Sequence, residues 1–307
     1  MIAILGATGY VGNSLARRYA ETDARPLVLF ARSPQRLRDQ TWPDRVRVED
    51  LRGLDAAEFS LVINAIGAGD PSRVAAAGDA IVELTQYWDS ALLAAMNPLT
   101  RYVFLSSGAV YGGAGAVADA QLVVSINADR PLPPYLAAKL LAELRHRNLP
   151  ERAILDLRIF GYADPSISLD DRFFLAELAR SIVRSEPFVT SPDDMVRDYA
   201  AALELKALID CWEAADAPNG PADLYTSAPV RKLELLDAAR GRYGLQVVTS
   251  ASSFANPTGA KPYYASTWRR AGEFGYTPQR SSLQIVLDML DRLGGARLRA
   301  TAESQLA

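Results

Sequence analysis

A tyrosine and a lysine, Tyr135 and Lys139, stand four residues apart at the start of a segment with helical patterning, Pro134–Arg147. Side chains at that spacing project from one face of a helix. A lysine ammonium beside a phenol stabilises the phenolate and lowers the pKa of the tyrosine. We therefore expect Tyr135 to act as an acid or base near neutral pH. The spacing alone is also compatible with a packed tyrosine and a solvated lysine.

Two hydroxyl side chains, Ser106 and Ser107, end the apolar run that starts at Tyr102. Such a run predicts a strand, and open α/β sheets bind their ligands at the carboxyl ends of their strands. Ser107 is therefore a candidate for a hydrogen bond to a carbonyl or alcohol oxygen of a substrate. The alternative role of this hydroxyl is to cap a helix or turn.

A glycine-rich segment, residues 6–12, lies directly between the first predicted strand and the first predicted helix. Its spacing is G-x-x-G-x-x-G, and glycines in this context allow a tight turn and a close approach of the backbone to a pyrophosphate. The start of the helix then offers free amides and the positive end of its dipole to the phosphates. An ordinary glycine turn is the alternative, which the strand–turn–helix context disfavours. The candidate cofactor contacts in this loop are Gly6, Thr8, Gly9, Tyr10, Val11 and Gly12.

The end of the second predicted strand reads Ala31-Arg32-Ser33. An acidic residue here would bind the ribose 2′-hydroxyl of NAD, and Ala31 cannot do so. Arg32 and Ser33 could hold a 2′-phosphate, so we favour NADP(H) and keep NAD(H) as the alternative; Arg32 could also be a solvated surface charge. After the third strand, Asp50 and Leu51 are placed to meet the adenine, although Asp50 could equally cap a turn.

The first half of the chain alternates apolar runs with helical patterns, which predicts βαβ units and a doubly wound parallel sheet of the α/β class. The predicted strands are Ile2–Leu5, Pro26–Phe30, Val46–Val48, Leu61–Ala65, Tyr102–Ser106 and Ala153–Leu157. The predicted helices between them are Val11–Glu21, Asp79–Met96 and Pro134–Arg147.

Beyond about Phe160 this alternation breaks down. Residues 214–221 and 250–262 have the composition of loops, and we expect the tail beyond Gly295 to be frayed. The predicted elements in this half are the helices Asp170–Arg184, Tyr199–Glu213, Lys232–Tyr243 and Ser281–Arg292 and the strand Leu224–Thr226.

The composition excludes several classes of function. With 33 Lys and Arg against 36 Asp and Glu, the chain has no basic excess for nucleic-acid binding. One cysteine and one histidine exclude a disulfide framework, a cysteine-rich zinc site and a histidine cluster, so no metal site is predicted. No run approaches the roughly 18 apolar residues of a membrane helix, and a strand at residue 2 leaves no room for a signal peptide. We expect a cytoplasmic protein with no membrane partner.

Besides the glycine-rich loop, the Ser106–Gly112 segment and the Tyr135/Lys139 pair, the chain contains four more short motifs. They are Asn64-Ala65, Leu157–Phe160, Arg197–Tyr199 and Glu273–Pro278. From Ile2 to about Leu290 the chain thereby resembles the extended short-chain dehydrogenases/reductases, in the branch of nucleotide-sugar epimerases, dehydratases and reductases. Together these motifs are highly specific for this superfamily, but they indicate much less about which reaction is catalysed.

The resemblance implies a role for each candidate residue. Tyr135 would exchange a proton with the substrate oxygen, Lys139 would hold the nicotinamide ribose and tune Tyr135, and Ser107 would be the third catalytic residue. Arg197 would meet a substrate diphosphate, as would Arg269 or Arg270, unless these arginines are surface charges. The further contacts it implies are Ala65, Ile66, Gly67 and Phe160 for the cofactor and Ser107, Gly108, Ala109, Arg197 and Arg270 for the substrate.

The resemblance also implies an organisation. Residues 1–160 would form the Rossmann domain that binds NAD(P), and residues 161–295 would mainly form a small α/β cap for the substrate, partly interleaved with the Rossmann core and followed by a tail at 296–307. Family members pair through two helices, and here the helices 79–96 and 134–147 carry more apolar residues than one sheet face needs. We expect a homodimer, with burial in the monomer as the alternative.

Departures from the family pattern reduce the number of reactions that the chain could catalyse. Gly108 and Ala109 stand where dehydratases carry an Asp-Glu pair, which disfavours elimination. Epimerisation at C3 and C5 would need a Cys and a His in the pocket, but Cys211 falls in a late helix, and His146 lies deep in the Tyr135 helix, with an expected surface or packing role. Gly161 and residues 200–206 also differ from many relatives, which indicates a re-specialised pocket.

Two enzymatic hypotheses and one non-enzymatic hypothesis follow. We favour an NADP(H)-dependent reductase of a keto group on a nucleotide-linked (deoxy)sugar, in carbohydrate biosynthesis, with hydride from nicotinamide C4 and Tyr135 as proton donor. The first alternative is an NAD-dependent nucleotide-sugar 4-epimerase. The second is a non-catalytic dinucleotide-binding relative, which the presence of both Tyr135 and Lys139 disfavours.

Overall fold

The computed structural model of the protein describes residues 1–67, 74, 76–112, 131–216, 218–250 and 262–305, with side chains up to residue 294. A seven-stranded parallel sheet lies between helices, with three short sheets beside it. The strands are β1 Ile2–Leu5, β2 Leu27–Ala31, β3 Val46–Asp50, β4 Leu61–Asn64, β5 Arg101–Ser107, β6 Ile154–Ile159, β7 Gly161–Tyr162, β8 Phe188–Thr190, β9 Val196–Arg197, β10 Tyr199–Ala200, β11 Gly220–Asp223, β12 Val230–Arg231, β13 Val247–Thr249 and β14 Tyr263–Tyr264. The helices are α1 Tyr10–Thr22, α2 Gln35–Arg38, α3 Ala80–Ala95, α4 Pro134–Arg147, α5 Phe174–Arg184, α6 Ala202–Ala214, α7 Lys232–Tyr243 and α8 Ser282–Gln305.

The strand order of the large sheet is β11-β6-β5-β4-β1-β2-β3, and every pairing in it is parallel. The order reverses at β1, which lies between β4 and β2. A crevice opens at such a reversal, outside the carboxyl ends of the strands. The glycine-rich loop after β1 and the hydroxyls at the end of β5 therefore lie on one edge of the sheet.

Each face of the large sheet is covered by its own helices. On one face Leu15 of α1 and Leu205 and Trp212 of α6 are fully buried against the strands. On the other face Leu92 of α3 and Ala142 of α4 pack against the sheet. Each fully buried leucine side chain stabilises the fold by about 1.5–3 kcal/mol. The doubly wound α/β fold predicted from the sequence is thus confirmed.

The short sheets form a second layer of structure beside the large one. They pair β7 with β10, β8 with β13, and β9 with both β12 and β14. Their hydrophobic core is built mainly by the helices α5, α7 and α8, and its buried residues include Leu175, Leu178, Leu235, Val286 and Met289. Two elements of the second half of the chain belong instead to the large sheet, because β11 extends its edge and α6 packs on its face.

The structure corrects the late strand and the last helix. The late strand covers Gly220–Asp223, where a loop ending at residue 221 and a strand at 224–226 were expected. Pro221 lacks an N–H and is tolerated because β11 is an edge strand. The last helix continues to Gln305, where a frayed tail was expected; good helix formers follow Gly295 and extend it. Most of the expected loop at 250–262 lies outside the described residues.

Candidate active site

The glycine-rich loop is held in a shape that only glycine fits at two positions. Gly6 has a φ of +73°, and a Cβ on it would lie 2.6 Å from the carbonyl oxygen of Ala65. A Cβ on Gly12 would lie 2.4 Å from the carbonyl oxygen of Gly6. The Gly9 N–H closes the turn by donating to the Gly6 oxygen at 2.9 Å. The loop therefore packs directly on the end of β4 and on the start of α1.

The first turn of α1 suits an anion. The helix starts after Gly9, which has an extended backbone, and its first turn contains no acidic residue. Thr8 is exposed, and Val11 is half-buried. The Tyr10 hydroxyl is held by the backbone of Asp164, since it accepts a hydrogen bond from the Asp164 N–H at 2.7 Å and donates to the Asp164 carbonyl at 3.2 Å. The backbone of this turn, with its dipole, is thus the part that fits a pyrophosphate.

The end of β2 carries no carboxylate. Ala31 is buried, and the next two residues, Arg32 and Ser33, are both exposed at the same edge. At the end of β3, the Asp50 carboxylate accepts two side-chain hydrogen bonds from Arg52, at 2.9 and 2.7 Å, and caps the turn that follows. The Leu51 side chain is buried in the core, so only its backbone is available to an adenine.

The segment after β4 brings the phosphate loop and the predicted catalytic lysine together. Asn64 Oδ1 accepts from the Ile66 N–H at 3.0 Å and so holds the turn in place. Gly67 is exposed, and a Cβ on it would lie 3.7 Å from the Lys139 Nζ. Ala65, Ile66 and Gly67 therefore lie between the glycine-rich loop and Lys139. A cofactor that spans the crevice would have to pass them.

Lys139 is buried on the inner face of α4. Its ammonium donates to the carbonyl oxygen of Leu105 at 2.7 Å and lies 4.5 Å above the ring of Phe104. It also lies 5.9 Å from the centroid of the Tyr135 ring, so the structure brings the predicted pair together. Burial lowers the pKa of Lys139 to about 8, with Asp89, Glu143 and Asp156 opposing the change.

The pKa of Tyr135 differs in direction from the sequence expectation. Burial raises it, and a hydrogen bond with Ser107 opposes that rise only in part. The expected lowering by Lys139 is therefore wrong for the protein as described. The physical reason is that removal of the phenol from water penalises the phenolate more than its neighbours stabilise it. Tyr135 is a protonated phenol at neutral pH.

Ser107 fills the capping role considered for it. Its Oγ accepts from the Ala109 N–H at 3.2 Å and so caps the short turn Gly108–Tyr111. The same Oγ lies 3.3 Å from the hydroxyl of Tyr264, a residue in β14 that the sequence did not single out. The cap orients the hydroxyl and leaves it beside both phenols.

An aromatic cluster of Tyr111, Phe160 and Tyr264 lies beside Ser107. A Cβ on Gly108 would lie 2.5 Å from the ring of Phe160, so this glycine is needed for the ring to pack. The Phe160 ring centroid lies 5.1 Å from that of Tyr264 and 6.0 Å from that of Tyr111. The predicted contact residues Gly108, Ala109 and Phe160 thus surround the serine.

The three candidate arginines lie in different places. Arg197 of β9 is aligned with Tyr264 of β14, and its guanidinium lies 5.9 Å from the Tyr264 ring centroid. Burial lowers the pKa of Arg197. Arg270 instead donates to the Pro221 carbonyl at 2.8 Å and packs on Gly220, at the amino end of β11. Arg269 donates to the Ser266 carbonyl at 2.8 Å. Of these three arginines, Arg197 is the one that lies near the aromatic cluster beside Ser107.

Two further findings bear on the classes excluded from composition. No group of three or more His, Cys, Asp or Glu side chains in the described part of the chain could hold a metal ion. Among the described residues, no helix has both the length and the apolar character needed to cross a membrane.

The sequence profile of the NAD dependent epimerase/dehydratase family matches residues 2–202. The chain belongs to this family. Its members are NAD(P)-dependent enzymes that act on nucleotide sugars. The match includes the glycine-rich loop, Ser107, Tyr135 and Lys139. No curated protein sequence matches the chain significantly.

Solved structures with the same fold share little sequence with the chain. UDP-glucuronic acid 4-epimerase from Bacillus cereus is 16% identical, with 95% of this chain and 98% of that chain covered and a TM-score of 0.73. UDP-N-acetylglucosamine 4-epimerase from Methanobrevibacter ruminantium is 15% identical, with 94% and 96% covered and a TM-score of 0.76. RMD from Pseudomonas aeruginosa, solved with NADPH, is 18% identical, with 96% and 99% covered and a TM-score of 0.71. At these identities the likeness concerns the fold.

Proposed function

We propose that the protein is an NADP(H)-dependent reductase of a keto group on a nucleotide-linked (deoxy)sugar. The observation that carries the choice of cofactor is the end of β2, where buried Ala31 is followed by exposed Arg32 and Ser33. A guanidinium and a hydroxyl there suit a 2′-phosphate, and no carboxylate on β2 competes for a 2′-hydroxyl. An exchangeable reduced cofactor suits a net reduction.

The described residues fit a dinucleotide. The glycines at positions 6 and 12 let the turn pack closely on the end of β4 and the start of α1, and the first turn of α1 offers its amides and dipole to the phosphates. Arg32 would hold the 2′-phosphate at one end, and Lys139 would hold the nicotinamide ribose at the other. When bound, the reduced nicotinamide supplies a hydride from its C4.

Tyr135 would deliver the proton that accompanies the hydride. Burial keeps its phenol protonated at neutral pH, which is the form that a ketone oxygen needs as it becomes an alcohol. Ser107 would donate a second hydrogen bond to the same oxygen and stabilise the charge that develops on it. Lys139, cationic below its pKa of about 8, would stabilise the phenolate after transfer.

The rest of the substrate would lie under the short sheets. Arg197 is close to Ser107 through Tyr264 and would bind the diphosphate. Arg270 is held by Pro221 at the amino end of β11, so we assign it no substrate role. The aromatic rings of Phe160 and Tyr264 would border the sugar.

A homodimer is also part of the proposal. The helices α3 and α4 lie side by side, joined by Arg145, which donates to Gln86 Oε1 at 2.6 Å. Both helices expose large apolar side chains at a spacing of three residues, namely Leu84, Tyr87, Leu141 and Leu144. Pairing of this face with a second copy would remove these side chains from water.

The first experiment compares the affinity for NADPH and NADH by nicotinamide fluorescence, after release and identification of any co-purified cofactor. We expect NADPH to bind more tightly, and Arg32→Ala to weaken NADPH binding roughly tenfold to hundredfold, since hydrogen bonds to charged groups are worth about 1.5–3 kcal/mol. NADH binding should not change. Arg47→Ala, an exposed arginine nearer the other end of the sheet, is the matched control.

Each other outcome argues against the proposal. Tightly retained NAD would favour the 4-epimerase. No binding of either dinucleotide would contradict an enzymatic role. Binding of NADPH with no turnover of any nucleotide-linked ketosugar in a panel would favour a non-catalytic relative.

A further inference from the structure

The short turn that follows Ser107 ends in Tyr111, a buried residue whose hydroxyl is held from two sides. Arg158 Nη1 donates to this hydroxyl at 2.9 Å, and the hydroxyl donates to Asp223 Oδ2 at 2.8 Å. A guanidinium can only donate and an ionised carboxylate can only accept, which fixes the direction of both bonds. Burial raises the pKa of Asp223 to about 6, so its carboxylate is mainly ionised at neutral pH. The Tyr111 hydroxyl therefore bridges a residue of β6 and a residue of β11.

Both partners of this hydroxyl are themselves held by buried contacts. Arg158 donates from Nε to Glu143 Oε1 at 3.0 Å and from Nη2 to Glu143 Oε2 at 2.5 Å. Such a bidentate pair fixes the orientation of the guanidinium as well as its place. Asp223 also accepts a hydrogen bond from the Ser266 hydroxyl. The two groups that hold Tyr111 are thus fixed to strands of the large sheet.

Glu143 connects this arrangement to the predicted proton donor. It is buried on the inner face of α4, the helix that also carries Tyr135 and Lys139. Arg158 therefore contacts the helix that carries the donor on one side and, through Tyr111, the turn after the serine on the other. One guanidinium thus links the turn to α4.

The turn orients the hydroxyl of Ser107. The Ala109 N–H donates to Ser107 Oγ at 3.2 Å, and the Gly112 N–H donates to the Ala109 carbonyl at 3.0 Å. A displacement of the turn would therefore move or rotate the serine hydroxyl. Misplacement of a reacting group by about 1 Å can lower a rate roughly a hundredfold.

We propose that Tyr111 is a positioning residue for Ser107, whose turn it holds in place by bridging Arg158 and Asp223. The reaction at Ser107 rests on the proposed function, whereas the bridge rests on contacts within the chain. A 4-epimerase would use the same placement of Ser107, so the role is common to both reactions.

Tyr111→Phe removes the bridging hydroxyl and keeps the ring, which stacks on Phe160 with the centroids 6.0 Å apart. The first readout is hydrogen exchange of the Ala109 amide in the full chain, measured by NMR, because this amide makes the bond that orients Ser107. We expect its exchange to become about tenfold faster, as for the loss of a hydrogen bond to a charged group. This readout needs no substrate.

The matched control is Tyr243→Phe. The Tyr243 hydroxyl also donates to a carboxylate at 2.8 Å, that of Asp291, but this bond joins α7 to α8. The control should lower the free energy of unfolding and leave the exchange of the Ala109 amide unchanged. A general loosening of the fold would instead affect that amide in both variants.

The second readout is the rate of ketosugar reduction. In Tyr111→Phe we expect kcat to fall about tenfold with KM unchanged, because Ser107 acts on charge that develops in the transition state. In a Ser107→Ala background the same substitution should leave kcat unchanged, although it still lowers the free energy of unfolding. A merely structural role would lower kcat in both backgrounds.

Two results would overturn the inference. One is an Ala109 amide that exchanges at the same rate in the wild type and in Tyr111→Phe. The other is an equal loss of kcat with and without the Ser107 hydroxyl. If the exchange becomes faster but the wild type reduces no ketosugar in the panel, the proposed function fails while the positioning of Ser107 stands.

Discussion

We expect His146, the single histidine of the chain, to be positively charged in the folded protein near neutral pH. Its Nδ1 lies 2.6 Å from Oδ1 of Asp156, and its Nε2 lies 2.9 Å from Oδ1 of Asp89. Carboxylate oxygens accept hydrogen bonds, so both ring nitrogens must donate, and only the imidazolium has two donors. Burial lowers the pKa of His146, but the two carboxylates together outweigh it and raise the pKa to about 9.

This shift makes stability fall as the pH rises. Below pH 6.5, the ordinary pKa, both the folded and the unfolded chain hold the proton, so the stabilisation is complete. It is lost as the pH rises toward 9, where the folded protein also releases the proton. Since one pKa unit corresponds to about 1.4 kcal/mol, the whole loss is about 3 kcal/mol.

Lys139 has the opposite effect at higher pH. Burial lowers its pKa from 10.5 to about 8, so the free energy of unfolding rises between these two values. The effects of His146 and Lys139 therefore oppose each other above pH 8. Of these two groups, His146 contributes most between pH 6.5 and 8, and we expect its share of the free energy of unfolding to fall by about 2 kcal/mol.

Two measurements check this. NMR titration of the single imidazole gives the pKa of His146 directly, without a variant. Urea unfolding at pH 6.5 and 8 gives the change in the free energy of unfolding, and His146→Gln, which is less stable throughout, should lack that change. An imidazole pKa at or below 6.5, or the same pH dependence in both proteins, would refute the reasoning.

Two further outcomes test the proposed chemistry and assembly. Tyr135→Phe should lower the rate of ketosugar reduction by about 10²–10⁴-fold, the usual contribution of a general acid. The Kd for NADPH should stay unchanged. Full activity of this variant, measured by NADPH oxidation, would contradict the mechanism. Sedimentation at micromolar concentration should show twice the 33.3 kDa mass of the chain. Leu144→Glu places a charge at an exposed position of α4 and should give the mass of a single chain. A wild-type monomer would contradict the dimer.

The large sheet was predictable because parallel strands buried on both faces are apolar throughout. The prediction Ile2–Leu5 matches β1, and Pro134–Arg147 matches α4. The edge strand β11 was missed because Gly220 and Pro221 have the composition of a loop. Strands of two residues, such as β9 and β14, are too short to show any alternation.

The candidate site was predictable where spacing within one element decides proximity. Tyr135 and Lys139 lie on one turn of α4, and Ser107 ends a recognisable strand. Tyr264 and Arg197 approach through the pairing of two short strands, which leaves no trace in a single sequence. Arg270 has the right residue type near a family landmark, but its partner Pro221 is 49 residues away in sequence.

Helix α4 explains why proximity could be predicted while the pKa of Tyr135 could not. Its inner face carries Lys139, Glu143 and His146, all buried, where the pattern of an ordinary amphipathic helix would place apolar residues.

Each of these polar side chains has a partner on the sheet. Lys139 donates to the Leu105 carbonyl at 2.7 Å, Glu143 accepts from Ser106 at 2.6 Å, and His146 contacts Asp156 at 2.6 Å. Because an unpaired buried polar group is costly, these bonds fix the rotation of the helix about its axis. The rotation that satisfies them also places the phenol of Tyr135 beside Ser107. The burial that gives this precise placement is the same burial that raises the pKa of the phenol, and it keeps Tyr135 in its proton-donating form.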